Sequence, residues 1–570
     1  MAKRPDARMS AAKSGKQTPE RSARKRAQRK PEAVRRGKQP AATSPPESAA
    51  LARQPEPTPE GRVPRTTEGK NAIRVRMYRQ GLGDSFLITL PAKGGKTFRL
   101  LIDCGVVLGT QVAASLMQEV VRDIIDETGG FVDVLAVTHE HYDHVAGFVL
   151  ADSLFARPGD AKTDGKLRVG ETWFAWTEDP NDPLGKRLQT ARQERVQRLA
   201  GLVQGFQGSG MAASPLTQGI KELLGFFGVS GDEAASSHDQ KVGATRAAMN
   251  NARAYGGSRV TYHRPGEKPW TSEEVDDIRI WVLGPPPNES LLKKTFAADE
   301  VYHLTCDAGP DQAFFLAAPL GSSPRLSDDP PKDVYSPFDD AYGFPLRGTD
   351  QDAAASSRAM PTKMAKFLSR HYYGAAPDPL DPDQSWRRID EDWLGAATQF
   401  ALQLDAATNN TSLVLAIELI SSRRVLLFAA DAQVGNWESW QTLAWTLDDG
   451  TRITGPDLLK RTVFYKVGHH GSHNATLREN GLDLMPHGLV AFIPVDHGMA
   501  VKKHWTQMPL PGLLDALNEK AKSVVRVDMD LHGTPDVIKA ERTFQQRFAP
   551  DGTAQQNEPL YYEWSISLGR

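Results

Sequence analysis

Three imidazoles and the Asp143 carboxylate stand within six residues, His139-Glu140-His141-Tyr142-Asp143-His144. Neutral imidazole and carboxylate are ligands suited to zinc, and also to manganese or iron. The segment follows Val132–Thr138, an apolar run with β-branched residues that reads as a buried strand. In an extended-to-turn segment, residues two apart point the same way, so His139 and His141 can grip one ion. Asp143 and His144 lie past the bend and face a second ion close by. The plain alternative is a polar surface turn, and the scarcity of histidine, 14 in 570 residues, argues against it.

Two later stretches carry related chemistry. Arg424–Ala430 reads as a buried strand ending in Asp431. A carboxylate there needs a partner, and a metal ion is the strongest one available. Capping of the next helix is the alternative. Another strand, Thr462–Val467, ends in Gly468-His469-His470-Gly471-Ser472-His473, with His469 38 residues beyond Asp431. Two histidine clusters, each just after a predicted strand, are harder to obtain by chance than either alone. His238, His263, His303 and His371 carry no ligand spacing and read as ordinary polar residues, and His497 and His504 read as loop residues.

The elements that must position these residues begin near Ile73. Ile73, Val75 and Met77 alternate with Arg74, Arg76 and Tyr78, a strand with one buried face. A glycine-rich turn, Gln80–Ser85, leads to a strand Phe86–Leu90, then Phe98–Ile102 ending in Asp103-Cys104-Gly105. Such openings start a β-layered domain. Val112–Thr128 has helical spacing and Gly129-Gly130 ends it. Residues at about 155–400 read as a large insertion of mixed structure: helical at Glu194–Phe206, amphipathic at Lys221–Phe227, a strand at Ile278–Leu283 and loop at Ser322–Ala355. The pattern resumes at Asn409-Asn410-Thr411-Ser412. It closes with a strand at Leu489–Val495, a helix at Pro511–Lys522 and a strand at Tyr561–Leu568.

H-x-H-x-D-H after a buried strand resembles the metallo-β-lactamase fold superfamily, hydrolases with two metal ions in a four-layer αββα sandwich. "GLGDSFLITLP…LLIDCG", the Asn-rich strand at 409–415 and "KVGHHGS" are similar to the metallo-hydrolase domain of bacterial competence DNA-uptake channel proteins. The likeness covers about 73–150 and 405–510. It implies that His139, His141, Asp143 and His144 hold two divalent ions, zinc first, with manganese or magnesium as alternatives. It implies that Asp431 bridges them and that Asp103 anchors the histidine loop. His469 is its first choice as terminal ligand and His470 the alternative. The other, with Ser472 and His473, would face the substrate. The family's third histidine on the first metal falls where this chain has Asn409 and Asn410, so Asn410, water or a histidine of the insertion must complete that site. The implied activity is metal-dependent hydrolysis by a metal-activated hydroxide, with Asp143, His470 and Ser472 as catalytic residues.

Residues 1–70 hold 18 Lys/Arg against 7 Asp/Glu, and the remaining 500 hold 51 against 63. The first stretch is poor in aromatic and β-branched residues and reads as a disordered basic arm, with residues 71–570 as the domain. The arm is either a tether to DNA or another polyanion, or a solubilising tail. Cys104 and Cys306 alone exclude a disulfide framework and a cysteine-rich zinc module, and fit a reducing cytoplasm. The charged N-terminus and the absence of a long apolar run predict no secretory signal and no membrane span. The expectations are thus a phosphodiesterase or nuclease on DNA, then a hydrolase of a small ester, lactone, thioester or nucleotide. Third comes a metal-stabilised binding module of weak turnover.

Overall fold

In a computed structural model of the chain, the described residues are 72–205, 215–229, 244–301 and 392–568, apart from isolated positions, with Lys363, Met364 and Phe367. The basic arm, the 322–355 loop and His238, His303 and His371 lie outside them. The strands are β1 (Ala72–Tyr78), β2 (Phe86–Pro91), β3 (Thr97–Ile102), β4 (Phe131–Val137), β5 (Arg168–Ala175), β6 (Val260–His263) and β7 (Ile278–Gly284). They continue as β8 (Val414–Leu419), β9 (Arg424–Phe428), β10 (Thr462–Lys466), β11 (Leu489–Ile493), β12 (Ala521–Arg526), β13 (Val537–Lys539) and β14 (Tyr561–Ser567). The helices used below are α1 (Ala113–Thr128), α2 (Tyr142–Val145), α3 (Pro183–Gly205), α4 (Pro215–Gly225), α5 (Ala244–Gly256), α6 (Asp392–Asn409), α7 (Val434–Trp440) and α8 (Pro511–Lys520).

The strands form two large mixed sheets, one in the order β13-β14-β1-β2-β3-β4-β5-β6 and the other β12-β11-β10-β9-β8-β7. In the first, β1, β2 and β3 pair antiparallel, and β3 to β6 run parallel. In the second, β7, β8 and β9 pair antiparallel, and β9 to β12 run parallel. Period-two alternation explains how the sheets stack. Ile73, Val75 and Met77 of β1 share one core with Leu415, Ile417 and Leu419 of β8 and Phe464 of β10. The opposite faces are also apolar, as both-side burial requires. Leu101 and Leu135 meet α1 and α5 on the first sheet. Ala416, Leu427 and Tyr465 meet α7 and α8 on the second.

Each helix presents a stripe that fits this burial. In α1, Leu116, Met117, Val120, Val121 and Ile124 recur at three- and four-residue spacing and are buried. Gly129 ends the helix at φ +66°, and its N–H donates to Ile125 O. Within the 155–400 stretch, β5, β6 and β7 are strands of the two large sheets. Helices α3 and α4 instead pack with α6 in a smaller separate core that includes Val196, Leu199, Leu223, Phe226 and Leu404. Among the described residues no helix is long and apolar enough to cross a membrane.

Candidate metal centre

Strand direction brings the chemical residues to one edge. Asp103 and the 139–144 loop follow the carboxyl ends of parallel strands β3 and β4, as Asp431 and His469-His470 follow β9 and β10. Because β2 runs antiparallel to β3, the β1–β2 turn with Asp84 lies at the same edge. Likewise β8 opposes β9, so the end of α6 and Asn409–Ser412, which precede β8, arrive there too.

The glycine-rich motifs hold the histidine loop by its backbone. Asp84 N–H donates to Asp143 O at 3.0 Å, Gly105 N–H to Asp84 O at 2.9 Å, and Cys104 N–H to His144 O at 2.9 Å. A Cβ on Gly105 would stand 2.1 Å from Asp143 O, so only glycine permits this approach. Asp103, Ala430, His469 and His470 all adopt positive φ, 56°, 49°, 40° and 54°. Left-handed backbone costs such residues on the order of 1–3 kcal/mol each and clusters where side chains must be aimed.

Asp84, His144, Asp431 and His470 each bring a ligand atom within 4.8 Å of one another, and all four are buried. This group could hold a metal ion. Asp143 belongs beside it: its Oδ2 lies 2.8 Å from His470 Nε2 and 3.8 Å from His144 Nε2. Asp431 Oδ2 lies 3.0 Å from His144 Nε2 and 3.7 Å from His470 Nε2. Ligand atoms each about 2.1 Å from one ion are roughly 3 to 4 Å apart, so these spacings fit a shared cation. The ring nitrogens facing away are fixed by other acceptors. His144 Nδ1 meets Asp103 Oδ2 at 2.8 Å, and His470 Nδ1 meets Pro494 O at 2.9 Å. Asp84 approaches those Nδ1 sides, at 3.8 Å each, and its Oδ2 is bound by Lys466 Nζ. Asp84 thus also touches the backs of the two rings, and Asp143 stands beside the group.

Lys466 also divides the oxygens of Asp431. Its Nζ donates to Ala430 O at 2.8 Å and lies 3.3 Å from Asp431 Oδ1. Asp431 Oδ2 is left facing the imidazoles without a hydrogen bond. His139 Nε2 approaches the same oxygen at 4.0 Å. His139 Nε2, both nitrogens of His141, Asp143 Oδ1 and His144 Nε2 are likewise buried without a hydrogen-bond partner. Buried polar atoms are ordinarily paired, so a convergent set of unpaired ligand atoms fits a cation that they would bind.

The His139 side is closed by helices. His141 packs against Phe226 and Phe227, with ring centroids at 5.4 and 5.0 Å, and Tyr142 N–H donates to Phe226 O at 2.7 Å. Phe226 stacks on Trp505 at 4.9 Å. Arg192 of α3 ion-pairs with Glu140 of the histidine loop and, at 3.0 Å, with Glu178. From α6, Asp405 Oδ1 lies 3.7 Å from His141 Nε2, and Asn409 Nδ2 donates to Asp405 Oδ2 at 3.1 Å.

Charge follows burial and neighbours. Burial holds His139 well below the ordinary imidazole range, His141 down to about 3 and His469 down to about 4. Burial also opposes charge on His144 and His470, but the surrounding carboxylates, Asp431 foremost, outweigh it and raise both. Those rings sit in a field that favours positive charge, the condition that also favours a divalent cation. Burial raises Asp405 well above the usual carboxylate range, and Asp143 and Asp431 add to the effect. In Asp431 burial is overcome, chiefly by His144 and Lys466, and its pKa is held well below that range.

Of the expected site residues, His139, His141, Asp143, His144, Asp431 and His470 converge. It is His470, not His469, whose Nε2 reaches Asp143 and Asp431, because consecutive left-handed residues turn the two rings to different sides. His469 Nε2 faces Asn409 Nδ2 at 3.4 Å, while Ser472 Oγ and Gln433 Nε2 hold its Nδ1 at 2.8 and 3.1 Å. Asn410 is committed elsewhere. Its Oδ1 accepts from Gln433 and Asn436 N–H, and its Nδ2 donates to Leu292 O and Lys294 O. His473 is half-buried and outside the ligand group. His497 Nδ1 meets Met508 O, and His504 is exposed beside Glu222. Asp84, Asp405, Gln433 and Lys466 are site residues that the sequence does not single out. The signals were present in Asp84 of the GLGDS turn and in Asp405–Asn409 at one-turn helical spacing. Family models, curated proteins and solved structures were each compared with this chain, and none of them matches it.

Proposed function

We propose that this chain is a metal-dependent hydrolase of the metallo-β-lactamase type, and that its first substrate is the phosphodiester of DNA. The observation that carries the reading is the convergence of unpaired, buried donor atoms from His139, His141, Asp143, His144 and Asp431 at one edge of two stacked sheets. Helices outside both sheets are compatible with the four-layer arrangement of that superfamily. Two divalent ions held there would lower the pKa of water toward neutrality and clamp the oxygens of the group under attack. The chain's own residues would do the rest. Asp143, with Oδ1 unpaired, orients the attacking water. His470, fixed between Asp143 and Pro494 O, keeps its Nε2 aimed at the cluster. On the resemblance, Ser472, whose hydroxyl lies 2.8 Å from His469 Nδ1, and His473 would act as donors to a leaving oxygen. The basic arm would hold the polyanion.

A second reading, hydrolysis of a small ester, lactone, thioester or nucleotide, is favoured by one observation. The rings against His141, Phe226 and Phe227, with Trp505 stacked on Phe226, are apolar, where duplex DNA would need a basic lining. Full-length protein is to be tested on linear and circular DNA and on a panel of small esters, with zinc, manganese and magnesium. Asp143→Ala and a chain lacking residues 1–70 stand beside it. DNA cutting lost by on the order of 10²–10⁴-fold in Asp143→Ala supports the nuclease. Intact DNA with hydrolysed esters moves the substrate to the second reading, and inertness on every substrate refutes the hydrolase.

A further inference from the structure

The place that the resemblance gives to a third histidine holds Asn409 and Asn410, and one helical turn earlier α6 carries an acid. Asp405 lies 26 residues before Asp431, on the last turns of α6, and is 5 % exposed. Its Oδ2 is held by Asn409 Nδ2 at 3.1 Å, and its Oδ1 has no hydrogen-bond partner. That free oxygen stands 3.7 Å from His141 Nε2, which is also unpaired. On the neighbouring ring, His139 Nε2 lies 4.0 Å from Asp431 Oδ2, both without a hydrogen bond as well, and the His139 and His141 rings are 4.7 Å apart. Asn410 is fully engaged with backbone groups of Leu292, Lys294, Gln433 and Asn436 and offers nothing to this space.

We propose that Asp405 is a ligand of a first metal position, completing a set with His139, His141 and the shared oxygen of Asp431. The proposal rests on the reading of the cluster as a metal centre. Two pairs among these donors, His141–Asp405 at 3.7 Å and His139–Asp431 at 4.0 Å, have the separation of ligand atoms about 2.1 Å from one ion, and the remaining pairs would close on it when the ion binds. The chemistry differs from a three-histidine position. A second carboxylate adds negative charge and a hard oxygen donor, which shifts preference from zinc toward manganese or magnesium. Asn409, one helical turn on, buttresses the carboxylate from behind, as supporting hydrogen bonds commonly do for metal ligands.

Bound metal per full-length chain is to be counted by elemental analysis after equilibration with Mn²⁺ or Zn²⁺, and affinities measured by titration calorimetry. Wild-type chain is expected to hold two equivalents of Mn²⁺. Asp405→Ala keeps one, and Asp405→Asn weakens one equivalent at least tenfold while keeping the shape of the side chain. Asp405→His restores the second equivalent and shifts its preference toward Zn²⁺. His470→Ala removes the other equivalent and leaves the one that depends on Asp405. If the Ala variant does not fold, the Asn and His variants decide. Two undiminished equivalents in the Asp405 variants overturn the assignment and leave the metal centre standing. A wild-type chain that binds neither ion overturns both.

Discussion

Asp103 holds His144 from behind: its Oδ2 lies 2.8 Å from His144 Nδ1, while His144 Nε2, across the ring, stands 3.0 Å from Asp431. The same carboxylate accepts from Thr138 N–H at 2.8 Å and Thr138 Oγ1 at 2.7 Å, so it fixes the start of the loop as well as the ring. Asp103→Asn would keep the volume but lose the charge behind the imidazole. Metal affinity should fall about 10- to 100-fold with little change in secondary structure, as read by calorimetric titration with circular dichroism as control. Unchanged affinity would mean that the ring is oriented by packing alone.

Arg192 ties α3 to the histidine loop. It is buried between Glu140 and Glu178, with Arg253 reaching Glu178 from the other side at 3.3 Å. Arg192→Met leaves Glu140 buried without its cation. Breaking a buried pair from one side costs about 3–5 kcal/mol, and Arg253 should keep the loss near the lower end. Chemical denaturation measures it, and a loss under about 1 kcal/mol would show that the pair does not join the two parts.

Gly105 admits the Asp143 carbonyl where a methyl would overlap it. Gly105→Ala is expected to destabilise the chain by about 1–3 kcal/mol and to weaken metal uptake, since the carbonyl can retreat only by moving Asp143 and His144. Equal melting temperature and equal uptake in variant and wild type would contradict this.

His263 on β6 gives a cleaner pH signal than the cluster. Burial pushes its pKa down to about 4, its Nε2 has no hydrogen bond, and its ring meets Trp173 at 4.7 Å. The unfolded chain binds this proton near pH 6.5, so between about pH 6.5 and 4 the unfolded state holds more protons. Its contribution to stability is complete above that window and is lost as pH falls through it. His263→Phe should therefore flatten the acid loss by up to about 3 kcal/mol, measured by denaturation at several pH values. Parallel curves for the two proteins would place the acid sensitivity elsewhere.

Much of this centre was legible because it is local. His139 to His144 share one loop, and Asp431 ends an apolar strand, so residue type and position sufficed. The same logic could not separate His469 from His470, since neighbouring rings are distinguished only by two positive-φ residues. Asp405 joins the centre only because α6, which the sequence reading does not predict, is laid against the histidine loop. Lys466 reads as the polar end of a strand until β9 and β10 set it between Asp84 and Asp431. The strand expected at Ile278–Leu283 is β7, while β5 and β6 went unread for a related reason. Helices α3, α4 and α5 separate β5 from β6 in sequence, and only the strand partners reveal that β5, β6 and β7 belong to the sheets.

The cover of Phe226 on Trp505, with α4 and α6 behind it, has a kinetic meaning. His139, His141 and His144 are wholly shut off from solvent, so an ion in their midst cannot leave by simple diffusion. Departure would wait for the aromatic pair and its helices to lift, an event of local unfolding with its own activation barrier. A dialysed preparation would then keep the ion that was abundant while the polypeptide was folding. Equilibration with a different ion, as a metal count requires, would proceed at the pace of that opening.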